Sequence, residues 1–489
     1  MNRCEDSSNA GLIARLRGQF LSEFESTYVE NVILPYFLLR TYQGERPSLP
    51  MIDVKFTKEN AQSYHLWGLL SDSWKPSPEC GVVVFLQGLE KRGPDNRRKR
   101  IYMSAVTPDL YRPMFRDKIM QLFDTLLAEG NAGKPLMRSY LEGYIDLYWD
   151  LHLGVSGDAI PAEVRQISKS VNTVLAYRDP TREIVYENYM QVRALRSFVT
   201  RWIDERLADL INGRTANPEK TLAYYWIKNG GDGDDFKRKD IVAECVHDLF
   251  AFSQWGTTIY NIMSKLSNNS GDHELRCWFN GTMKTDFDRA DGSQFTPLER
   301  FVMELFRTIS PNSGSESAIE ELATPPYERY GHVVTPHRET SIDPRHWKDP
   351  EQFDPDRYKD VPTSHQVDEA TCQRIGFARC PFDRKTFDVE DGRNAVLHNS
   401  GFGTVYSIVD GNPLPVCDYA GYAPFGFGYR RCPGEQLTIH VFADFLRKVW
   451  SSKTEFEKLN ISNSEPIPIG PGTVVADDVG FTGWRSTRS

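Results

Sequence analysis

The chain has 489 residues, 40% apolar and 26% charged, with 58 basic against 67 acidic side chains for a net charge of −9. This is ordinary composition for a globular protein, and the acidic balance excludes the basic footprint of a nucleic-acid binder. Eight cysteines without C-x-x-C spacing write neither a zinc site nor a disulfide scaffold, which fits a reducing compartment.

Near the start, Arg3, Glu5, Asp6, Arg15 and Arg17 leave no room for a signal peptide. The apolar run Val32–Leu39 is broken by Pro35 and is too short to cross a bilayer. The expectation is a soluble, cytoplasmic protein without a membrane span. Residues 11–40 pattern as an amphipathic helix, Met51–Phe56 alternates like a short strand, and Val82–Leu86 is a β-branched run. Five of the nine residues from Arg92 to Arg100 are then cationic. A solvated basic helix face would explain them.

From Leu110 to Leu210 the pattern is repeatedly helical, with Ala223–Trp226 closing the region. A Gly/Asp-rich break, Gly230–Asp235, precedes a long helix predicted from about Asp240 to Leu266. That helix carries the run from Ala251 through Ser253 and Gly256 to Thr257 and Thr258. Its two threonines have a purely structural option, bonding back to carbonyls one turn earlier.

Thr296 and Pro297 are the cap and first residue of a helix containing Glu304 and Arg307, three apart on one face. Downstream come Trp347–Pro350 and the aromatic-Pro run Phe353–Tyr358, which includes Arg357. The polar segment 361–417 holds His365, Cys372, Cys380 and His398 at spacings that fit no zinc template. It reads as a surface insertion with room for a hairpin.

The chain is organised around Pro424–Gly434. Two glycines two residues apart, Gly426 and Gly428, allow a tight turn. Cys432 follows Arg430 and Arg431 at the start of a helix, where orphan N–H groups and cations stabilise a thiolate. Such a thiolate suits a proximal ligand to haem iron; a buried structural cysteine after a Gly-rich turn is the bland alternative. The helix runs through Phe445 to Trp450, and 466–470 and 474–481 pattern as terminal strands.

Phe425, Gly428, Arg430, Cys432 and Gly434 fill the pattern F-x-x-G-x-R-x-C-x-G, and the loop resembles the haem-ligand loop of the cytochrome P450 superfamily. The resemblance implies a mostly helical prism with a small β-rich lobe, residues 1–489 forming one domain. It implies haem b (iron protoporphyrin IX) on Cys432, cradled by Phe425, Gly426, Arg430 and Gly434. Asn96 and Arg100 fall on the spacing with which the family addresses the haem propionates. Glu304, Arg307 and Arg357 correspond to the family's buried structural cluster.

The long helix looks like the one that crosses the distal haem face, where Ser253, Gly256, Thr257 and Thr258 would be catalytic. Gly256 stands where relatives carry an acid. The stretch 361–417 is longer than its family counterpart, on the side where an electron donor docks in relatives. The implied activity is monooxygenation of a small apolar molecule with dioxygen and electrons from a separate ferredoxin- or flavin-type donor. The alternatives are a peroxide-using or hydroperoxide-rearranging enzyme and, more remotely, a non-catalytic haem gas sensor.

Overall fold

The computed structural model describes residues 101–131, 136–176, 183–230, 237–267, 272–309, 341–359 and 434–456, single positions excepted. It also describes Pro424, Phe425, Cys432 and seven short strands. The stretches expected at 11–40, 51–56, 82–86, 466–470 and 474–481 lie outside the described residues.

The described chain is mostly helical. A turn at Pro108–Leu110 continues through Tyr111–Phe115 into α1, Arg116–Asn131. There follow α2 (Leu136–Leu153), α3 (Ala162–Ala176), α4 (Glu183–Ile211) and α5 (Leu222–Gly230). Next is α6, Arg238–Leu266, which covers the predicted long helix. The series closes with α7 (His273–Met283), α8 (Pro297–Ile309) and α9 (Glu435–Ser451).

With 29 residues, α6 spans roughly 40 Å at 1.5 Å per residue. Its buried residues, among them Ile241, Val242, Cys245, Leu249, Phe252, Trp255, Ile259 and Ile262, surround the axis instead of lining one stripe. That is the pattern of a helix enclosed by others, and α6 packs against α2, α3, α4, α5 and α7. By contrast α8 is amphipathic. Leu298, Phe301, Val302, Leu305 and Phe306 bury one face, which meets α9. Thr296 starts α8 with a reciprocal cap: Thr296 N donates to Glu299 Oε2 at 2.9 Å and Glu299 N to Thr296 Oγ1 at 3.3 Å.

The strands are few and short. β1 (Tyr64–His65), β2 (Ser315–Ala318) and β3 (His332–Thr335) form an antiparallel sheet. β4 (Tyr406–Val409) pairs with β5 (Asn412–Pro415), putting a hairpin inside the 361–417 segment. The intervening Asp410 and Gly411 have the chemistry of a two-residue hairpin turn. β6 (Thr454–Phe456) pairs with β7 (Trp484–Ser486). No described helix is long and apolar enough to cross a membrane.

Candidate active site

Cys432 is a partly exposed cysteine, not in a disulfide, at the N-terminal end of α9. Its backbone N–H donates to the Phe425 carbonyl at 2.8 Å, closing the loop on itself. The Phe425 ring packs on Phe306 of α8 at 5.0 Å between centroids, and Phe306 packs on Phe442 of α9 at 5.5 Å. Gly434 follows the thiol closely, since a Cβ there would lie 3.7 Å from the Cys432 sulfur. A cysteine at a helix start, partly exposed and followed closely by a glycine, fits an axial ligand to a haem iron. Gly426, Arg430, Asn96 and Arg100 lie outside the described residues.

One helix pair frames the site. α6 reaches α9 through Trp255, whose Nε1 donates to Thr438 Oγ1 at 3.3 Å, six residues beyond Cys432. Gly256 is buried, and the buried Tyr140 hydroxyl of α2 lies beside its amide without reaching a hydrogen bond of ordinary geometry. Thr258 donates to the Gln254 carbonyl at 2.9 Å, the back-bond open to helical threonines. Ser253 and Thr257 fall on α6, but their side chains lie outside the described residues.

Glu304, Arg307 and Arg357 meet. Arg307 is bidentate on Glu304, Nε to Oε2 at 2.8 Å and Nη2 to Oε1 at 2.7 Å. Arg357 Nε donates to Oε1 at 3.0 Å, the Tyr358 hydroxyl to Oε2 at 3.1 Å and the Asp354 amide to Oε1 at 2.9 Å. The remaining Arg307 donors reach the carbonyls of Ser341, Pro350 and Gln352. Trp347 stacks under both guanidinium groups. Both members of the Glu304–Arg307 pair are 0% exposed, and every polar atom of the two side chains has a hydrogen-bond partner.

Two further clusters are not visible as sequence motifs. In the first, Asp248 of α6 accepts from the Tyr102 hydroxyl at 2.7 Å and faces His152 Nε2 of α2 at 3.0 Å. The other ring nitrogen of His152 faces the Tyr148 carbonyl at 2.9 Å. Both ring nitrogens therefore face oxygen atoms, which fixes the orientation of the ring between α2 and α6. One turn earlier Glu244 meets His247 Nδ1 at 2.9 Å. Glu244, His247 and Asp248 gather ligand-type atoms within 4.8 Å of one another, with both Asp248 oxygens already engaged.

The second cluster joins α1 to α9. Asp444 accepts from the Tyr111 hydroxyl at 2.7 Å, from Arg116 Nε at 2.7 Å and from Arg447 Nη1 at 2.6 Å. Burial raises Asp444, but the Arg116 and Tyr111 hydrogen bonds and the Arg447 charge hold it below the ordinary carboxylate range. Beside it His440 stacks on Tyr111 at 5.9 Å. Burial, with Arg112 nearby, pushes its imidazole down to about 4. Helical spacing could have pointed to the first cluster: Tyr140, Tyr144, Tyr148 and His152 recur every four residues on α2.

No family model matches the sequence, and no curated protein matches it either. The fold is nonetheless shared. The chain superposes on the heme domain of cytochrome P450DA with TM-score 0.53 at 11% identity, covering 95% of this chain and 96% of that one. It superposes on ligand-free cytochrome P450 OleT with TM-score 0.52 at 13% identity, over 90% and 88%. Retinoic acid-bound cyanobacterial CYP120A1 gives TM-score 0.51 at 14% identity, over 81% and 79%. The chain has the cytochrome P450 fold.

Proposed function

We propose that this chain is a haem-thiolate enzyme that oxidises a small apolar molecule, with Cys432 as the axial ligand. The carrying observation is the partly exposed Cys432 at the N-terminus of α9, its amide bonded to the Phe425 carbonyl, within a P450 fold whose long helix α6 is hydrogen-bonded to α9. When bound, the haem supplies oxidation of a C–H bond with dioxygen and two electrons, or with a peroxide. The chain supplies the surroundings of that chemistry.

Orphan N–H groups at the start of α9 stabilise the Cys432 thiolate. Phe425, Gly426, Arg430 and Gly434 would hold the haem beside it, and Asn96 and Arg100 would address the propionates, as the family resemblance of their spacing implies. A guanidinium fork matches a carboxylate bidentately, which is why Arg100 is assigned there. On α6, Ser253 and Thr257 would hold or move protons, with the Thr258 hydroxyl already bonded back to Gln254. Glu304, Arg307 and Arg357 keep α8 docked on the segment that leads to the loop.

Electrons come from a separate ferredoxin- or flavin-type protein, docking near the 361–417 segment, and the enzyme acts as a soluble cytoplasmic protein. A peroxide-using reading is favoured by one observation: Gly256, buried beside Tyr140, stands where a proton-delivering acid is expected. The test is to reconstitute the protein with haem, reduce it and add carbon monoxide. A strongly red-shifted Soret band reports thiolate ligation. Its absence in a haem-loaded protein refutes the assignment of Cys432.

A further inference from the structure

α6 carries a set of ligand-type side chains that the haem reading does not use. Glu244, His247 and Asp248 stand at i, i+3 and i+4, which puts all three on one face of the helix. Glu244 and Asp248 are 0% exposed and His247 is 5% exposed. Glu244 Oε2 lies 2.9 Å from His247 Nδ1, and Nδ1 lies 3.9 Å from Asp248 Oδ1. One ligand atom from each residue falls within 4.8 Å of the other two. Two donors that each sit about 2.0–2.1 Å from a zinc ion stand roughly 3–4 Å apart, so the three are close to chelating spacing. A Glu-x-x-His step is also one by which helical bundles present a carboxylate and an imidazole to a metal.

The partners of Asp248 set this cluster apart from two other buried carboxylates. Glu304 is faced by Arg307 and Arg357, and Asp444 by Arg116 and Arg447, which are permanent cations. Asp248 has instead the Tyr102 hydroxyl on Oδ1 at 2.7 Å, His152 on Oδ2 at 3.0 Å, and His247. No described arginine or lysine pairs with it. Glu244 is buried one turn away on the same face, and two carboxylates so placed in a low dielectric favour a cation shared between them. A carboxylate oxygen has two lone pairs, so Asp248 Oδ1 can accept from Tyr102 and still ligate. Tyr102 and His152 then hold the ligating carboxylate in place, as outer partners do at metal centres. Both come from outside α6, Tyr102 from ahead of α1 and His152 from α2.

We infer that Glu244, His247 and Asp248 form a binding site for a divalent transition-metal ion of the zinc class. An imidazole with two carboxylates is a mixed nitrogen and oxygen donor set. That set suits zinc better than magnesium or calcium, whose sites are built from oxygen. Three protein ligands leave a fourth position for water. The ion balances the two carboxylates and, through Asp248, ties α6 to α2 and to the segment carrying Tyr102. The site stands whether or not Cys432 binds haem.

The test uses full-length protein, stripped with a chelator and dialysed against zinc in the presence of excess magnesium and calcium. Elemental analysis should find one zinc per chain that neither competitor displaces. X-ray absorption at the zinc edge should show nitrogen and oxygen neighbours at about 2.0–2.1 Å, with imidazole scattering. A sulfur neighbour at about 2.3 Å would put the ion on cysteines and overturn the assignment. Glu244→Gln and His247→Gln should each weaken zinc binding about tenfold or more, and Tyr102→Phe should weaken it several-fold through Asp248. Cys277→Ser, which breaks the exposed Cys277–His273 pair on α7, should leave binding unchanged. Zinc should raise the thermal midpoint of wild type and leave that of His247→Gln where it is. Unchanged affinity in a folded His247→Gln protein ends the proposal. Where a ligand variant does not fold, wild type decides alone: no retained zinc, or a sulfur shell, ends it as well.

Discussion

Arg307 grips Glu304 along a full edge of its guanidinium, at 2.8 and 2.7 Å, and both side chains are entirely buried. Three residues apart, an exposed pair of this kind would contribute only a few tenths of a kcal/mol. Here the carboxylate also accepts from Arg357, Tyr358 and the Asp354 amide, so every lone pair has a use. Removing either partner strands the other in a site closed to water, and that sets the pair's importance.

Arg307→Ala leaves a buried carboxylate with one arginine, and Glu304→Ala leaves a buried guanidinium facing another. Each should cost about 3–5 kcal/mol, enough to consume much of a domain's stability. Denaturant unfolding should register the loss, together with poor haem uptake on reconstitution. A well-folded Arg307→Ala protein with wild-type stability would reduce the cluster to an ordinary helix pair.

Cys432→Ala should abolish the red-shifted Soret band of the reduced, carbonyl-bound protein. Cys245→Ala and Cys277→Ser should leave it in place, because Cys245 is buried in α6 and Cys277 is exposed on α7. Difference spectra of the three variants at equal haem loading decide the matter. Retention of the band in Cys432→Ala would move the ligand elsewhere.

Thr257→Ala separates the two oxidants. If dioxygen is activated, the variant should consume NAD(P)H through a surrogate reductase at a similar rate while product per NAD(P)H falls several-fold and peroxide release rises. If peroxide is the oxidant, turnover with hydrogen peroxide alone should exceed turnover with any reductase, and Thr257→Ala should change it little. Tight coupling in the variant, with no peroxide-driven activity, would contradict both.

His440 makes stability depend on pH. Its imidazole ionises near 6.5 when unfolded but only at about 4 when folded. Between those values the unfolded chain binds more protons, so stability rises with pH and is lost as pH falls from about 6.5 towards 4. The loss is on the order of 2–3 kcal/mol for a shift of this size. Urea midpoints at a series of pH values should show this slope in wild type and a flatter one in His440→Phe. An identical slope in both would assign it to other groups.

What the chain shows on its own is local and periodic. α6 is legible because apolar residues crowd all round a 3.6-residue repeat, and α8 because Thr296 and Pro297 announce its start and one face is apolar. Glu304, Arg307 and Arg357 are readable because two of them share a helix face and the third sits in an aromatic-Pro run. The Cys432 loop is readable for the same reason, its residues being fixed by short spacing. The structure brings the three charged residues together, although nothing in their spacing says that the Arg307 donors also close on Ser341 and Pro350.

Contacts between helices far apart in sequence were decided only by tertiary packing. Tyr102 meets Asp248 across 146 residues, and Tyr111 meets Asp444 across 333. A single tyrosine or aspartate on a helix carries no mark of its partner, because periodicity fixes which face is buried and not what it faces. Low dielectric and the absence of competing water then make those pairings strong once the helices dock. The same packing sets Tyr140 beside the Gly256 amide, on the side of α6 that faces α2.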